Sequence, residues 1–110
     1  MTKLIASRPP VKKKELKLDL ANLKTAALTL RAINHRLRQK ILIFIHQRGK
    51  INVTEIYVRL HLEQSVTSQH LAVLRKCGFV LSERDGQTIY YSVNYDHIDQ
   101  VQFHAKEMVS

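Results

Sequence analysis

The chain has 110 residues, a length that suits one compact domain, and 45% of them are hydrophobic, enough for a single buried core. The formal net charge is +9, from 18 basic and 9 acidic residues, so the surface attracts polyanions such as nucleic acid or an anionic membrane. The sequence contains neither an apolar run long enough to span a bilayer nor the apolar run of a signal peptide. Its one cysteine, Cys77, excludes an intramolecular disulfide, and we therefore expect a cytoplasmic protein.

Residues 1–17 are predicted to form a basic N-terminal arm, and residues 18–110 a single folded domain. Residues 1–40 contain 11 of the 18 basic residues, and the segment 8–17 reads RPPVKKKELK, with no apolar period. Its Pro-Pro pair favours extended backbone. Two interpretations remain open, a solvated tail and a flexible contact to phosphates. Insertion into a membrane surface is disfavoured because the arm has no aromatic or leucine face.

The first predicted helix covers residues ~18–32, where apolar residues recur at three- and four-residue steps: Leu20, Leu23, Ala27 and Leu30. Further apolar residues widen this stripe, which indicates burial against another chain. Asn34 is the predicted N-cap of a second helix over ~35–48, and Gly49 is its predicted stop. The core face of that helix is predicted to comprise Leu37, Ile41, Phe44 and Ile45.

Two short helices follow, over ~53–60 and ~64–76. Asn52 precedes Glu55 by three residues, a spacing typical of an N-terminal cap, and Gly78 is predicted to end the second helix of the pair. The early turns of that second helix carry small or polar side chains: Gln64, Ser65, Thr67, Ser68, Gln69 and His70. About three residues join the two helices, which is the arrangement of a helix-turn-helix.

The remainder of the chain predicts a β-hairpin and a last helix. Residues 80–83 and 88–93 are rich in β-branched and aromatic side chains, and Asp85-Gly86 is a strong turn signal between them. Residues ~95–109 have a helical apolar period formed by Ile98, Val101, Ala105 and Met108. The predicted fold class is therefore mainly α with a small β-hairpin.

The second helix of a helix-turn-helix lies in the major groove of DNA, with its N-terminal turns against base edges. The six polar residues of the ~64–76 helix can donate and accept the hydrogen bonds that this requires, and glutamine bonded to adenine is the strongest such contact. Arg84 in the hairpin could reach a phosphate or the minor groove. The alternatives are that the polar turns and Arg84 are merely solvated.

At this point the chain resembles the ArsR/SmtB family of winged helix-turn-helix repressors. The resemblance rests on residues 65–80, SVTSQHLAVLRKCGFV, on GQTIYYSV at 86–93, and on NHRLRQKILIFI at 34–45. It implies a homodimer built from the first and last helices, which binds double-stranded DNA at an inverted repeat and releases it in response to an inducer. Two reading helices would then lie about 34 Å apart, one turn of DNA.

The metal ligands of this family are largely missing from the sequence. The Cys-x-Cys pair that many relatives carry corresponds to Asn52 and Thr54, neither of which is a thiolate. Other relatives bind zinc through side chains of the last helix, and here Ile98 occupies one of those ligand positions. His104 and Glu107 have the spacing of a second ligand pair, but they lie earlier on the helix than the corresponding pair in the family. We therefore expect no metal and no cofactor; a metal-responsive protein using His104 and Glu107 is a third interpretation.

Cys77 lacks the second cysteine of thiol-sensing relatives and is predicted to be a small core residue. No catalytic constellation or phosphate-binding glycine loop is recognisable, so the sequence does not predict an enzyme. The leading interpretation is a sequence-specific, DNA-binding transcriptional repressor with a non-metal signal. The alternative is a winged-helix module that binds other proteins, in which the charge serves solubility alone.

Overall fold

A computed structural model describes residues 19–109, and the side chains of 19–107. The predicted arm, residues 1–17, lies outside the described residues. Five helices and three strands follow one another: α1 (Leu20–Ile33), α2 (Arg36–Arg48), β1 (Ile51–Asn52), α3 (Val53–Leu60), α4 (Gln64–Lys76), β2 (Val80–Asp85), β3 (Thr88–Val93) and α5 (Tyr95–Val109). The predicted class, mainly α with a β-hairpin, is confirmed, and the helix-turn-helix is α3 and α4.

The junction between α1 and α2 differs from the prediction. Asn34 is not the N-cap of α2, because its backbone N–H donates to the Leu30 carbonyl at 3.0 Å and so ends α1. The N-cap of α2 is His35, which has extended backbone and makes no capping hydrogen bond through its side chain. Only Asn34 and His35 therefore separate the two helices.

The short strand β1 was not predicted. It pairs antiparallel with β3 at the edge of a sheet ordered β1-β3-β2, and Asn52 lies opposite Tyr90. The predicted cap of α3 is present, since the Asn52 side-chain oxygen accepts a hydrogen bond from the Glu55 backbone N–H at 2.9 Å. Asn52 thus ends β1 and caps α3, the first helix of the helix-turn-helix.

The hairpin of β2 and β3 is the wing. Asp85 pairs with Thr88, so the two-residue turn consists of Gly86 and Gln87, one position later than the Asp85-Gly86 turn that the sequence predicts. Gly86 has φ +68°, a conformation that glycine adopts without steric cost and that two-residue hairpin turns require. The tip of the wing is therefore as short as an antiparallel hairpin allows.

The core lies between α2, α3, α4 and the sheet. Its largest fully buried apolar side chains are Ile41, Ile45, Ile56, Leu71, Leu74, Phe79 and Val80. By contrast, α1 buries only Ala32, and it exposes 67% of Leu20 and 56% of Leu23. On α5, Ile98 and Val101 pack against the edge of the core while Phe103 is 60% exposed. Within a single chain, the first and last helices consequently leave apolar surface in contact with water.

Candidate nucleic-acid interface

The helix α4 is fixed by one buried face. Thr67, Leu71 and Leu74 follow one another at steps of four and three residues, and all three are fully buried. The opposite face must therefore point outward. The predicted contact residues that this phase leaves exposed are Gln64, Ser65, Ser68 and Gln69.

Thr67 was predicted as a DNA contact, and the structure contradicts this. Its side chain is 0% exposed, and its hydroxyl donates to the Glu63 carbonyl at 3.0 Å, within the helix itself. The residue lies in the helical phase of Leu71 and Leu74, which carries it into the core. It stabilises the packing of α4 and cannot reach a base.

His70 is half-buried and belongs to a contact between helices. The Arg38 Nε donates to the His70 Nδ1 at 3.2 Å, and the rings of His35 and His70 lie 4.8 Å apart. Burial lowers the pKa of His70, and the neighbouring His35 and Arg38 lower it further. His70 therefore joins α4 to α2, and a contact with DNA could involve only the part of the ring that remains accessible.

Two features of α4 were not among the predicted contacts. Ala72 is exposed one turn after Ser68, and Lys76 is exposed one turn after Ala72. A small methyl group at such a place can contact the methyl of thymine, and a lysine can contact a phosphate. Two successive four-residue steps from Ser68 would have revealed both positions in the sequence.

The N-terminus of α4 begins at an unusual cap. Glu63 makes no capping hydrogen bond through its side chain, and the first turn contains no acidic residue. The first-turn N–H groups therefore receive no hydrogen bond from the Glu63 side chain, and uncapped first-turn N–H groups attract a phosphate. The Glu63 carboxylate lies beside them and opposes that attraction.

The wing places Arg84 in solvent near its tip. Its guanidinium lies 3.5 Å from the Gly86 carbonyl, a contact within the hairpin, and the rest of the side chain is exposed. The Lys50 Nζ, just before β1, instead forms an ion pair with the Glu83 Oε1 at 2.7 Å. Their hydrogen bond raises the pKa of Lys50 and lowers that of Glu83, so both groups stay charged. Of these two cations, Arg84 is thus better placed than Lys50 to contact a phosphate.

This geometry has counterparts among known proteins. Residues 36–82 match the family model described as bacterial regulatory protein, arsR family. The transcriptional repressor PagR of Bacillus anthracis is 36% identical over 86 residues, which cover 77% of this chain and 85% of PagR. The chain belongs to the ArsR family of bacterial regulatory proteins.

Solved structures agree with this membership. NolR from Sinorhizobium fredii superposes on this chain with a TM-score of 0.67 at 30% identity. The superposition covers 86% of this chain and 95% of the NolR chain. A homodimeric winged helix-turn-helix DNA-binding domain from Mycobacterium bovis gives 0.70 at 23% identity, covering 90% and 94%. The second likeness concerns the fold alone, and it confirms the winged helix.

Neither a metal cluster nor a membrane helix is found in the described part of this ArsR-family protein. Among residues 19–109 no three side chains of histidine, cysteine, aspartate or glutamate lie where they could hold a metal ion together. His104 and Glu107 are exposed on α5. Within the same residues, no helix combines the length and apolarity needed to cross a bilayer.

Proposed function

We propose that this protein is a transcriptional regulator that binds a specific sequence of duplex DNA through α4. The observation that carries the proposal is the exposed polar edge of Gln64, Ser65, Ser68 and Gln69 on a helix whose other face is anchored in the core. A fixed helix with short polar side chains is what direct contact with base edges requires. Gln69 is the principal candidate for a base contact, and Arg84 for a phosphate contact from the wing.

The regulator acts as a homodimer in this proposal. The unpartnered apolar side chains of α1 and α5, with Leu23 and Phe103 as examples, supply the surface that a second copy would bury. The winged-helix domain from Mycobacterium bovis is itself homodimeric, which supports the arrangement. Two copies of α4 would then bind an inverted repeat with half-sites about 34 Å apart.

Repression is the mode of action that we infer, in the cytoplasm and in response to a signal other than a metal. PagR, the relative at 36% identity, is a transcriptional repressor. A dimer that occupies a promoter excludes the transcription machinery without needing any contact to it. Asn52 and Thr54, at the positions of the family's cysteine pair, offer no thiolate to a soft metal, which supports a non-metal signal.

Fluorescence anisotropy with labelled DNA from upstream of the protein's own gene tests the function. Fragments retained from sheared genomic DNA provide the same test where that region is not bound. We expect at least a thousandfold preference over a scrambled duplex, and an affinity that falls steeply with salt as phosphate contacts release counterions. Equal affinity for both duplexes would contradict sequence-specific binding. A protein partner together with no DNA affinity at low salt would instead support the interaction module.

A further inference from the structure

A second concave surface lies away from the outward edge of α4. It is a cavity of about 700 Å³ between α1, the C-terminal end of α4 and the start of α5. Its walls are largely apolar and include Leu28, Ala32 and Val73. Cavities of this size with apolar walls and a few polar groups are typical of sites for small molecules.

The charged side chains around this cavity are all cationic. Arg31, Arg38 and Lys76 line it, and no described aspartate or glutamate does. Three cations around an apolar wall, without a carboxylate to balance them, favour a ligand that carries a negative charge on an apolar body. A neutral ligand of the same shape would make no ionic interaction with these three cations.

One buried polar atom at the cavity has no partner. His97 lines the cavity, and its Nε2 is buried with no hydrogen-bond partner among the described residues. Its ring packs against Phe79, and it lies so close to Gly78 that a Cβ there would approach it to 3.0 Å. The ring is therefore held in place by packing. The Nε2 atom is itself sealed from solvent, so His97 contributes a fixed wall to the cavity rather than a hydrogen bond to a ligand.

Arg38 connects the cavity to α4. Arg38 lines the cavity, and its guanidinium donates to the Ala32 carbonyl at 3.1 Å and to the His70 Nδ1 at 3.2 Å. These bonds use two of the five guanidinium N–H groups, so an anion in the cavity would bind the remaining ones and draw the guanidinium away from the neutral imidazole, because a bond to a charged acceptor is the stronger one. Loss of the bond to His70 would release one of the contacts that hold α4 against α2.

We propose that this cavity binds a small organic anion with an apolar body, and that Arg38 couples its occupancy to the position of α4. The proposal of a binding site depends on the cavity alone and not on the proposed function. The coupling rests on the proposed function, because its consequence is a change in DNA affinity. The anion would then be the signal that the regulator detects.

Octanoate is a suitable probe, with octanamide as its neutral counterpart. In a titration of the ¹⁵N-labelled full chain followed by amide NMR, octanoate should give saturable shifts around residues 25–32, 73–78 and 97. Octanamide should bind at least threefold more weakly. Absence of saturable shifts, equal binding of octanamide, or shifts confined to Leu20, Leu23 and Phe103 on the apolar faces would each overturn the site.

Charge variants sharpen this test. The double substitution Arg31→Gln with Lys76→Gln should weaken octanoate binding about three- to tenfold, because two exposed charge interactions are lost. The control removes the same charge at Lys24→Gln and Lys40→Gln, two exposed lysines that do not line the cavity. Its octanoate affinity should equal that of the unsubstituted protein. Equal weakening in both double variants would show a general charge effect and contradict the site.

DNA binding tests the coupling separately. Saturating octanoate should lower DNA affinity several-fold in the unsubstituted protein and have no such effect in Arg38→Gln. Octanoate binding with unchanged DNA affinity would overturn the coupling and leave the site. A protein that binds no specific DNA would contradict the proposed function, while the NMR titration would still decide whether the cavity binds the anion.

Discussion

Thr67 and Gln69 are two positions apart on α4 and face opposite environments. The first is sealed in the core with its hydroxyl bonded to the Glu63 carbonyl, and the second is exposed on the outward edge. Both are small enough and polar enough to contact a base, so residue type alone groups them together. Only the helical phase set by Leu71 and Leu74 separates them.

A matched pair of substitutions tests this separation. Gln69→Ala should lower affinity for the preferred DNA by about 5- to 150-fold, corresponding to a lost base contact of about 1–3 kcal/mol, with an unchanged free energy of unfolding. Thr67→Val should destabilise the fold by at most about 1 kcal/mol, since the Glu63 carbonyl still accepts the residue-67 backbone N–H. Its DNA affinity should be unchanged. Anisotropy and urea unfolding measure the two effects, and a reversed pattern would show that α4 is rotated.

Contacts to bases and contacts to phosphates should affect DNA binding differently: a base contact sets sequence preference, and a phosphate contact sets overall affinity. Gln69→Ala should change which sequences are preferred, whereas Lys12→Ala in the N-terminal arm should weaken all sequences alike if the arm contacts phosphates. Competition among duplexes with single base changes measures the preference. If the two variants have identical profiles, Gln69 is not a base contact.

His70 makes stability depend on pH. Because burial lowers its pKa in the folded protein, the unfolded chain binds more protons as the pH falls, and the free energy of unfolding decreases. We expect this decrease to begin as the pH falls through the ordinary range of histidine, about pH 7.5 to 5.5, and to be smaller in His70→Asn, whose amide does not titrate. Urea unfolding at fixed protein concentration measures it, and parallel curves for the two proteins would contradict the assignment.

Among the elements, α4 has a cap that can be improved. A serine at an N-cap accepts a hydrogen bond from the helix, which the Glu63 side chain does not do here. Glu63→Ser should therefore raise the free energy of unfolding, by at most about 0.5–1 kcal/mol because loss of the Glu63 charge beside the helix N-terminus offsets part of the gain. It should also increase DNA affinity by removing a negative charge beside the first-turn N–H groups. Unchanged affinity together with increased stability would place this terminus away from phosphates.

The elements also show what the sequence could and could not predict. The helices α3 and α4 have the predicted bounds, because their apolar periods and terminal signals agree. The strand β1 has only two residues, too few for a period, and its partner Tyr90 lies far along the chain. Asn34 was assigned to the wrong helix because asparagine suits either end, and only its bond to Leu30 decides. The bond between Arg38 and His70 has no signal in sequence spacing at all.

At the scale of the whole molecule, we expect the apolar faces of α1 and α5 to form the interface of the proposed homodimer. Leu23→Glu places a charge on the proposed interface, so we expect a monomer and a loss of DNA affinity of about a hundredfold, since the two half-sites are no longer bound together. Sedimentation velocity measures the mass. The control is Val58→Glu on α3, where the side chain is equally exposed, at 54% against 56% for Leu23. This variant should remain dimeric; a dimer in both would place Leu23 outside the interface.

Asn52 has a consequence for how such proteins can diverge. It pairs with Tyr90, midway along the wing, while its side chain caps the first turn of α3, and no linker separates the two structures. Insertions near this residue would tilt the recognition unit relative to the sheet. The turn at Gly86 and Gln87 is exposed, and a Cβ on Gly86 would meet no atom within 4 Å, so residues added there would lengthen the wing without displacing other parts of the fold. In the proposed complex with DNA, changes in operator length would thus be accommodated at the tip of the hairpin, and changes in orientation would be resisted where Asn52 pairs with it.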